Sequence, residues 1–227
     1  MSIIRNLFRI GAGILTIILV IQLGAGANTT SEPELVISGL EWNIKTGDSL
    51  VYEINVTATR DDINELFTPM WAHLNNTRIV VTVTHLPMIQ PFYSSTDYIE
   101  SIVNISKISC RFENGTPLSD SDLFLESLIS KALLPVGSWE FLDVMFLDDW
   151  SGEWEMYEPD YTWIARFNEE GFFFGYLGLS WHSTKGWSAM MNVTSGVPLF
   201  IETHDNYHDY GSTIDILELT LVDYVSS

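Results

Sequence analysis

The sequence predicts an α+β protein: a mainly antiparallel, curved β-sheet, a half-barrel-like meander, with one to three helices packed on it. Three observations support this prediction. Strand-like segments recur at roughly ten-residue spacing from residue 152 onward, separated by turn residues. Residues 119–134 carry an apolar stripe at helical spacing. The first residues are strongly apolar, unlike the acidic chain that follows, and predict an N-terminal hydrophobic signal or anchor helix before the fold.

Residues 1–27 are predicted to be a secretory signal peptide. Arg5 and Arg9 precede the uncharged, strongly apolar segment 10–27, which ends in Ala25-Gly26-Ala27, a pattern typical of a cleavage site. The alternative is an uncleaved signal anchor, since residues 10–27 are long enough to span a bilayer. Both alternatives place residues 28–227, predicted to be a single β-rich domain, outside the cytoplasm, either secreted or held at the membrane.

The charge balance excludes one class of partner. The chain has 227 residues and a formal net charge of −20, from ten Lys and Arg against thirty Asp and Glu. Such a surface repels a phosphate backbone, so we expect no nucleic acid as a partner. The single cysteine, Cys110, precludes an intrachain disulfide and is expected to be a buried, inert thiol.

The first regular elements follow from periodicity. In residues 49–58, Leu50, Tyr52 and Ile54 alternate with Val51, Glu53 and Asn55, which predicts a strand with one buried face. Residues 61–74 begin with two aspartates and indicate a helical segment interrupted by Pro69, and residues 78–86 indicate another strand. A strand pair, broken near Ser106, is expected between residues 98 and 112.

Residues 119–134 are the strongest helix prediction. Apolar side chains at positions 124, 125, 128, 129, 132 and 133 form one stripe. Ser119 or Asp120 is expected to cap the helix and Pro135 to end it. A second short helix is predicted at about 138–147.

The remaining chain predicts an antiparallel meander with strands at 152–157, 161–167, 172–181, 187–193, 197–203 and 212–224. The segments HSTKG, NVTSG and HDNYHDYG are interpreted as turns or loops. In the last strand the apolar face changes from Ile214 and Ile216 to Leu217 and Leu219, which predicts a bulge there.

Two short segments resemble known proteins. TGDSLVYEINVT (residues 46–57) and NVTSGVPLFIE (residues 192–202) are similar to the ends of uncharacterised exported archaeal β-rich proteins. The order of elements and the turn at residues 195–199 also resemble the LolA-like and LppX-like lipoprotein carriers. That resemblance implies a curved half-barrel with helices in its mouth that shelters acyl chains. The chain differs in having no lipobox cysteine and no basic character.

Aromatic strand residues are the candidate ligand-binding residues. A curved sheet lined by large apolar side chains can hold a lipid or another apolar small molecule, whereas the same side chains also fill an ordinary core. The candidate lining residues are Trp154, Tyr161, Trp163, Phe172, Phe174, Trp181 and Trp187.

The sequence motifs that could indicate catalysis do not predict an enzyme. In DDWSGEWEMYEPDYTW (residues 148–163), strand alternation sorts acids and aromatics largely to opposite faces, whereas a glycosidase needs both in one cleft. The HDNYHD stretch lacks metal-ligand spacing, and no phosphate-binding loop or nucleophile elbow occurs. We therefore expect no catalytic residues, no resident metal and no cofactor.

Six N-x-[ST] sequons add a further expectation. Asn55, Asn75, Asn104 and Asn192 are the candidate glycosylation sites, beside the less favoured Asn28 and Asn114. The function expected from the sequence is an exported cell-surface binding protein, with an apolar or lipid-like ligand as the specific hypothesis. The alternatives are a glycosylated surface module that contacts proteins or carbohydrates and, third, a secreted hydrolase using acids of residues 148–160.

Overall fold

An antiparallel sheet of eight strands dominates the structure. The computed structural model describes residues 36–37, 39–60, 68–89, 92–93, 102–139, 160–168, 171–179, 183–207 and 213–227. The strands of the large sheet are β2 (Ser49–Arg60), β3 (Thr77–Val83), β5 (Ile108–Phe112), β6 (Asp160–Asn168), β7 (Gly171–Leu179), β8 (Ser183–Met191), β9 (Pro198–Tyr207) and β10 (Thr213–Val225), in the order β5-β3-β2-β10-β9-β8-β7-β6. Two short strands, β1 (Val36–Ile37) and β4 (Phe92–Tyr93), form a separate pair.

One face of the large sheet is the core face. In β2, Leu50, Tyr52 and Ile54 are fully buried, while Glu53 and Asn55 on the other face are exposed. The cross-strand partners of Tyr52 in β3 and in β10 lie on the same face of the sheet as Tyr52. The division into a buried and an exposed face therefore extends to these strands. The predicted alternation of residues 49–58 is confirmed, because side chains of a strand point alternately to its two faces.

Helix α1 (Phe124–Ala132) packs on the core face. The predicted helix is confirmed, with its apolar stripe at Leu125, Leu128 and Ile129 buried. It is shorter than expected, because a separate 3-10 turn, Asp120–Asp122, precedes it. Ser119 donates its hydroxyl to the Asp122 carboxylate at 2.5 Å instead of capping α1, which has no side-chain cap.

The contacts of α1 require a curved sheet. The helix contacts β5 at one edge and also β8 and β9. β8 lies five strands from β5 in the sheet order, a separation of about 24 Å in a flat sheet. Nine helical residues span only about 13 Å. The core face is therefore concave around α1, and the predicted fold class is confirmed as a curved antiparallel sheet with few helices.

A strap of residues 133–139 continues from α1 over one end of the concave face. Val136 and Glu41 exchange two backbone hydrogen bonds of 2.8 Å, and Leu134 N donates to Gly196 O. A Cβ on Gly196, whose φ is +73°, would overlap the Leu134 carbonyl oxygen. Glycine at this position therefore allows the 192–197 turn, as predicted for NVTSG, to lie directly against the strap.

The C-terminal five strands form the predicted meander with three local differences. Residues 183–186 of the HSTKG segment belong to β8, and His204 to Tyr207 of the HDNYHD segment belong to β9. The bulge of β10 lies between Leu221 and Asp223, not near residue 216. Both segments look like turns in the sequence because they are polar, yet strands on both sides satisfy their backbone groups.

Of the remaining predictions, one is wrong in part and four cannot be compared with the described residues. Residues 102–104 are helical, so the expected strand pair before Phe112 is wrong in its first half. The 61–67 segment, most of the 138–147 helix and the 152–157 strand lie outside the described residues, as does the predicted signal segment 1–27. Among the residues that are described, no helix has the length and apolar character needed to cross a membrane.

Candidate functional site

Strand register places five of the seven candidate lining residues on the concave face. Tyr161 and Trp163 occupy positions of this face in β6, Phe172 and Phe174 in β7, and Trp187 in β8. Trp163 lies opposite Tyr176, and Tyr176 lies opposite Trp187, so three aromatic positions form one row across three strands. The other two candidates, Trp154 and Trp181, lie outside the described residues.

The end of this face beneath the strap is filled by the protein itself. Phe172 and Phe174 are fully buried. The Trp139 ring lies 4.7 Å from the Phe172 ring, measured between centroids, and Trp139 Nε1 donates to Val193 O at 2.8 Å. Phe174 in turn contacts the Trp187 ring edge-on at 5.4 Å. A ligand at Phe172 or Phe174 would have to displace these side chains.

At the opposite end of the concave face, a half-buried and largely aromatic row of side chains is followed directly by a charged row. Tyr176, Trp187 and Thr203 form a half-buried row, and Thr203 donates its hydroxyl to Gly186 O at 3.0 Å. The next row consists of Lys185, Asp205 and Asp215, which are cross-strand partners on β8, β9 and β10. We call these six residues the polar-aromatic patch.

The charged row of the patch is held by an ion pair and a backbone hydrogen bond. Lys185 Nζ lies 2.7 Å from Asp205 Oδ2; the Lys185 side chain is 63% exposed and that of Asp205 15%. Asp215 is buried and accepts a hydrogen bond of 3.3 Å from Met70 N. Buried carboxylates are rare without partners. These contacts therefore stabilise the carboxylates of Asp205 and Asp215 next to the apolar part of the face.

A short turn bridges the patch and helix α1. Met70, which contacts Asp215 through its amide, is 56% exposed. The adjacent Trp71 stacks on Phe124 at the start of α1 with ring centroids 5.9 Å apart. His73 Nε2 lies 2.8 Å from Asp122 Oδ1. The turn thus borders the patch with an exposed methionine and a half-buried tryptophan.

The Ser119–Asp122–His73 cluster has the residue types of a hydrolase triad but a different connectivity. Ser119 donates to the carboxylate and not to the imidazole, so His73 is not positioned to take the proton of the serine hydroxyl as it would in a triad. Burial alone would raise the pKa of Asp122, but the hydrogen bonds from Ser119 and His73 outweigh it and hold that pKa below its usual value. The cluster connects the 72–74 turn to α1.

No protein-family model, curated protein or solved structure matches the chain. The likeness to the lipoprotein carriers therefore remains a resemblance in the order of elements and in the turn at residues 195–199.

Metal binding finds no support in the part of the chain that is described, where no three His, Cys, Asp or Glu side chains are grouped to hold an ion. His204 and Asp205 lie on opposite faces of β9, since they are adjacent in a strand. His208 and Asp209 lie outside the described residues, as do the acids at positions 148–158. Burial raises the pKa of the Cys110 thiol well above its usual value, which makes this thiol unreactive.

The sequon asparagines lie mostly at the surface. Asn55, Asn75, Asn104 and Asn114 are exposed, whereas Asn192 is half-buried. Asn192 Oδ1 accepts hydrogen bonds from Thr194 N and Ser195 N and so shapes the 192–197 turn. A glycan added to any of the four exposed asparagines would meet solvent rather than the core.

The sequence pointed to the aromatic half of the patch and missed its charged half. The interpretation of HSTKG and HDNYHDYG as turns or loops is wrong for Lys185 and Asp205, because both lie in strands. Asp215 carried a usable signal, because it occupies an apolar position in the alternation with Leu217 and Leu219. A carboxylate at a core-facing position is a candidate functional group.

Proposed function

We propose that the protein is an exported binding protein whose ligand contacts the polar-aromatic patch. One observation carries the proposal: half-buried aromatic residues adjoin a row of charged residues on a concave face whose other described positions are mostly buried. Binding sites combine apolar walls with a few placed polar groups, and this is the place in the described fold that has both.

The ligand class we propose is amphipathic and lipid-like. Trp187 and Tyr176 offer apolar surface. Polar contacts come from Thr203, the cross-strand partner of Trp187, and from Lys185, two residues before Trp187 in β8. Phe172 and Phe174 are occupied by protein contacts, so the apolar part of the ligand would lie along the rim near Met70 and Trp71 rather than deep in the sheet. The half-barrel-like shape belongs to the same proposal and is supported by α1 reaching strands far apart in the sheet.

The test measures binding of the full chain to palmitate, lysophosphatidylcholine and a panel of oligosaccharides by tryptophan fluorescence and native mass spectrometry. We expect saturable binding of a lipid-like probe that Trp187→Ala weakens by at least roughly tenfold, which is a loss of about 1.4 kcal/mol. Trp42→Ala is the matched control, since Trp42 is also half-buried but outside the patch. Absence of lipid binding, or equal loss in both variants, would refute the proposal.

A glycosylated surface module is the second candidate, favoured by the exposed positions of Asn55, Asn75, Asn104 and Asn114. Its partners would be surface proteins or glycans. Intact-mass measurement of protein from its native host shows whether glycans are present. Binding of an oligosaccharide in the panel, with no binding of either lipid probe, would favour this function over the first.

A further inference from the structure

Lys107, the residue immediately before β5, is a fully buried lysine. Its Nζ donates to Val103 O at 3.2 Å and to Ile105 O at 3.1 Å. Both acceptors belong to the segment directly preceding it, so the side chain folds back on its own chain. Lysine is almost never fully buried unless it is paired with a carboxylate, and Lys107 makes no ion pair with any residue that the structure describes.

The hydrogen bonds of Lys107 match a neutral amine. An amine has two N–H donors, whereas an ammonium has three. Two backbone carbonyls accept from Nζ, which satisfies both N–H donors of the amine, whereas the third proton of an ammonium would have no acceptor among the described residues. Burial, which is the sole cause of the shift, lowers the pKa of Lys107 to about 7.

The described elements around Lys107 supply no countercharge. Their charged or titratable side chains are Glu126 and Lys131 on α1, Arg78 and His85 on β3 and its continuation, and Cys110 and Arg111 on β5. None of them hydrogen-bonds or ion-pairs with the amine. Glu126, the one carboxylate among them, accepts from Cys110 N at 2.7 Å.

The backbone of Lys107 joins three elements. Thr84 N and His85 N both donate to Lys107 O, and Lys107 N donates to Ser130 Oγ on α1. Ser130 Oγ donates in turn to Ile105 O. Any loosening of residues 102–107 therefore weakens the attachment of the β5 edge to both β3 and α1.

We propose that Lys107 is a pH-sensitive latch: the neutral amine holds residues 102–107 against β3 and α1, and its protonation releases this segment. The direction follows from linkage. The pKa of Lys107 is lower in the closed state than in an open, hydrated one, so closure releases a proton and is favoured as pH rises. The gain accumulates from about pH 7 up to the ordinary lysine pKa of about 10.5 and is absent below that window.

Two measurements on the wild-type full chain test the latch. Nitrogen-15 NMR of the lysine amines is expected to show one amine titrating near neutral pH; titration of every amine near 10.5 overturns the proposal. Hydrogen exchange at the Thr84 and His85 amides, corrected for intrinsic rates, reports opening. We expect the opening constant to rise as pH falls toward 7, by up to about tenfold per pH unit.

Lys107→Met tests the cause, because methionine keeps the apolar stem and removes the amine. Exchange protection at Thr84 and His85 should then lose its pH dependence. Lys45→Met, which removes an exposed amine, should retain the wild-type dependence. The same pH dependence in Lys107→Met as in the wild type would overturn the proposal, and the NMR titration decides the question if this variant fails to fold.

Discussion

Asp48 is expected to be the most sensitive carboxylate in the described fold. It is 1% exposed and accepts four hydrogen bonds. Oδ2 accepts from Lys45 N at 2.9 Å and Tyr224 Oη at 2.7 Å, and Oδ1 accepts from Ser227 N at 2.8 Å and Ser227 Oγ at 3.1 Å. This residue fastens the end of β10 to the turn before β2.

Replacing Asp48 by asparagine leaves one acceptor oxygen and turns an NH₂ group toward two of the four donors. A hydrogen bond to a charged group contributes about 1.5–3 kcal/mol. Tyr224 and Ser227 are exposed, so water recovers part of the loss. We therefore expect Asp48→Asn to lower the free energy of unfolding by about 2–4 kcal/mol at pH 7, measured by urea denaturation.

The pH dependence separates the charge from the packing of Asp48. Burial alone would raise the pKa of Asp48, but hydrogen bonds from Ser227, Tyr224 and Lys45 hold it below its usual value. A carboxyl whose pKa is lowered on folding stabilises the protein above the unfolded pKa of about 3.9 and loses this contribution as pH falls through the folded value. The difference between wild type and Asp48→Asn should be constant from about pH 7 to 5 and shrink below about 4.

Asp223→Asn is the matched control, because Asp223 is exposed and bonds only its neighbour Tyr224 N. It should change stability by less than about 0.5 kcal/mol. An Asp48→Asn effect no larger than this control, or one that persists unchanged at pH 3, would refute the reasoning.

Three further predictions concern packing and charge. Gly175→Ala should destabilise the protein by more than about 2 kcal/mol in urea denaturation, because the added Cβ would overlap the Trp187 carbonyl oxygen. Gly115→Ala, which has open space around its Cβ at φ +88°, should cost only about 1 kcal/mol of backbone strain. Equal costs of the two substitutions would contradict the overlap. Phe174→Ala should cost about 3–5 kcal/mol, since this side chain is fully buried, and thermal denaturation showing a smaller loss than for Trp187→Ala would place the core elsewhere. Asp122→Asn should cost about 1–2 kcal/mol at neutral pH in urea denaturation, with the difference shrinking as pH falls below about 4, and a cost unchanged at pH 3 would exclude the carboxylate as its source.

The sequence predicted elements whose signal is local. The stripe of Leu125, Leu128 and Ile129 and the alternation of Leu50, Tyr52 and Ile54 depend only on helix and strand periodicity. The turn at 192–197 likewise followed from its residues. The same alternation sorted Trp163, Phe174 and Trp187 to what proved to be one face once register was known.

Tertiary structure decided which of these side chains meet and which polar residues are buried. Lys185, Asp205 and Asp215 are far apart in the chain and become neighbours only through the register of β8, β9 and β10. Polar strand ends resemble loops in a sequence, because composition does not reveal that strands on both sides satisfy the backbone. The fully buried Lys107 had no sequence signal at all, since its burial depends on three elements closing around it. Local periodicity determined the elements of this protein, and cross-strand register decided its candidate site.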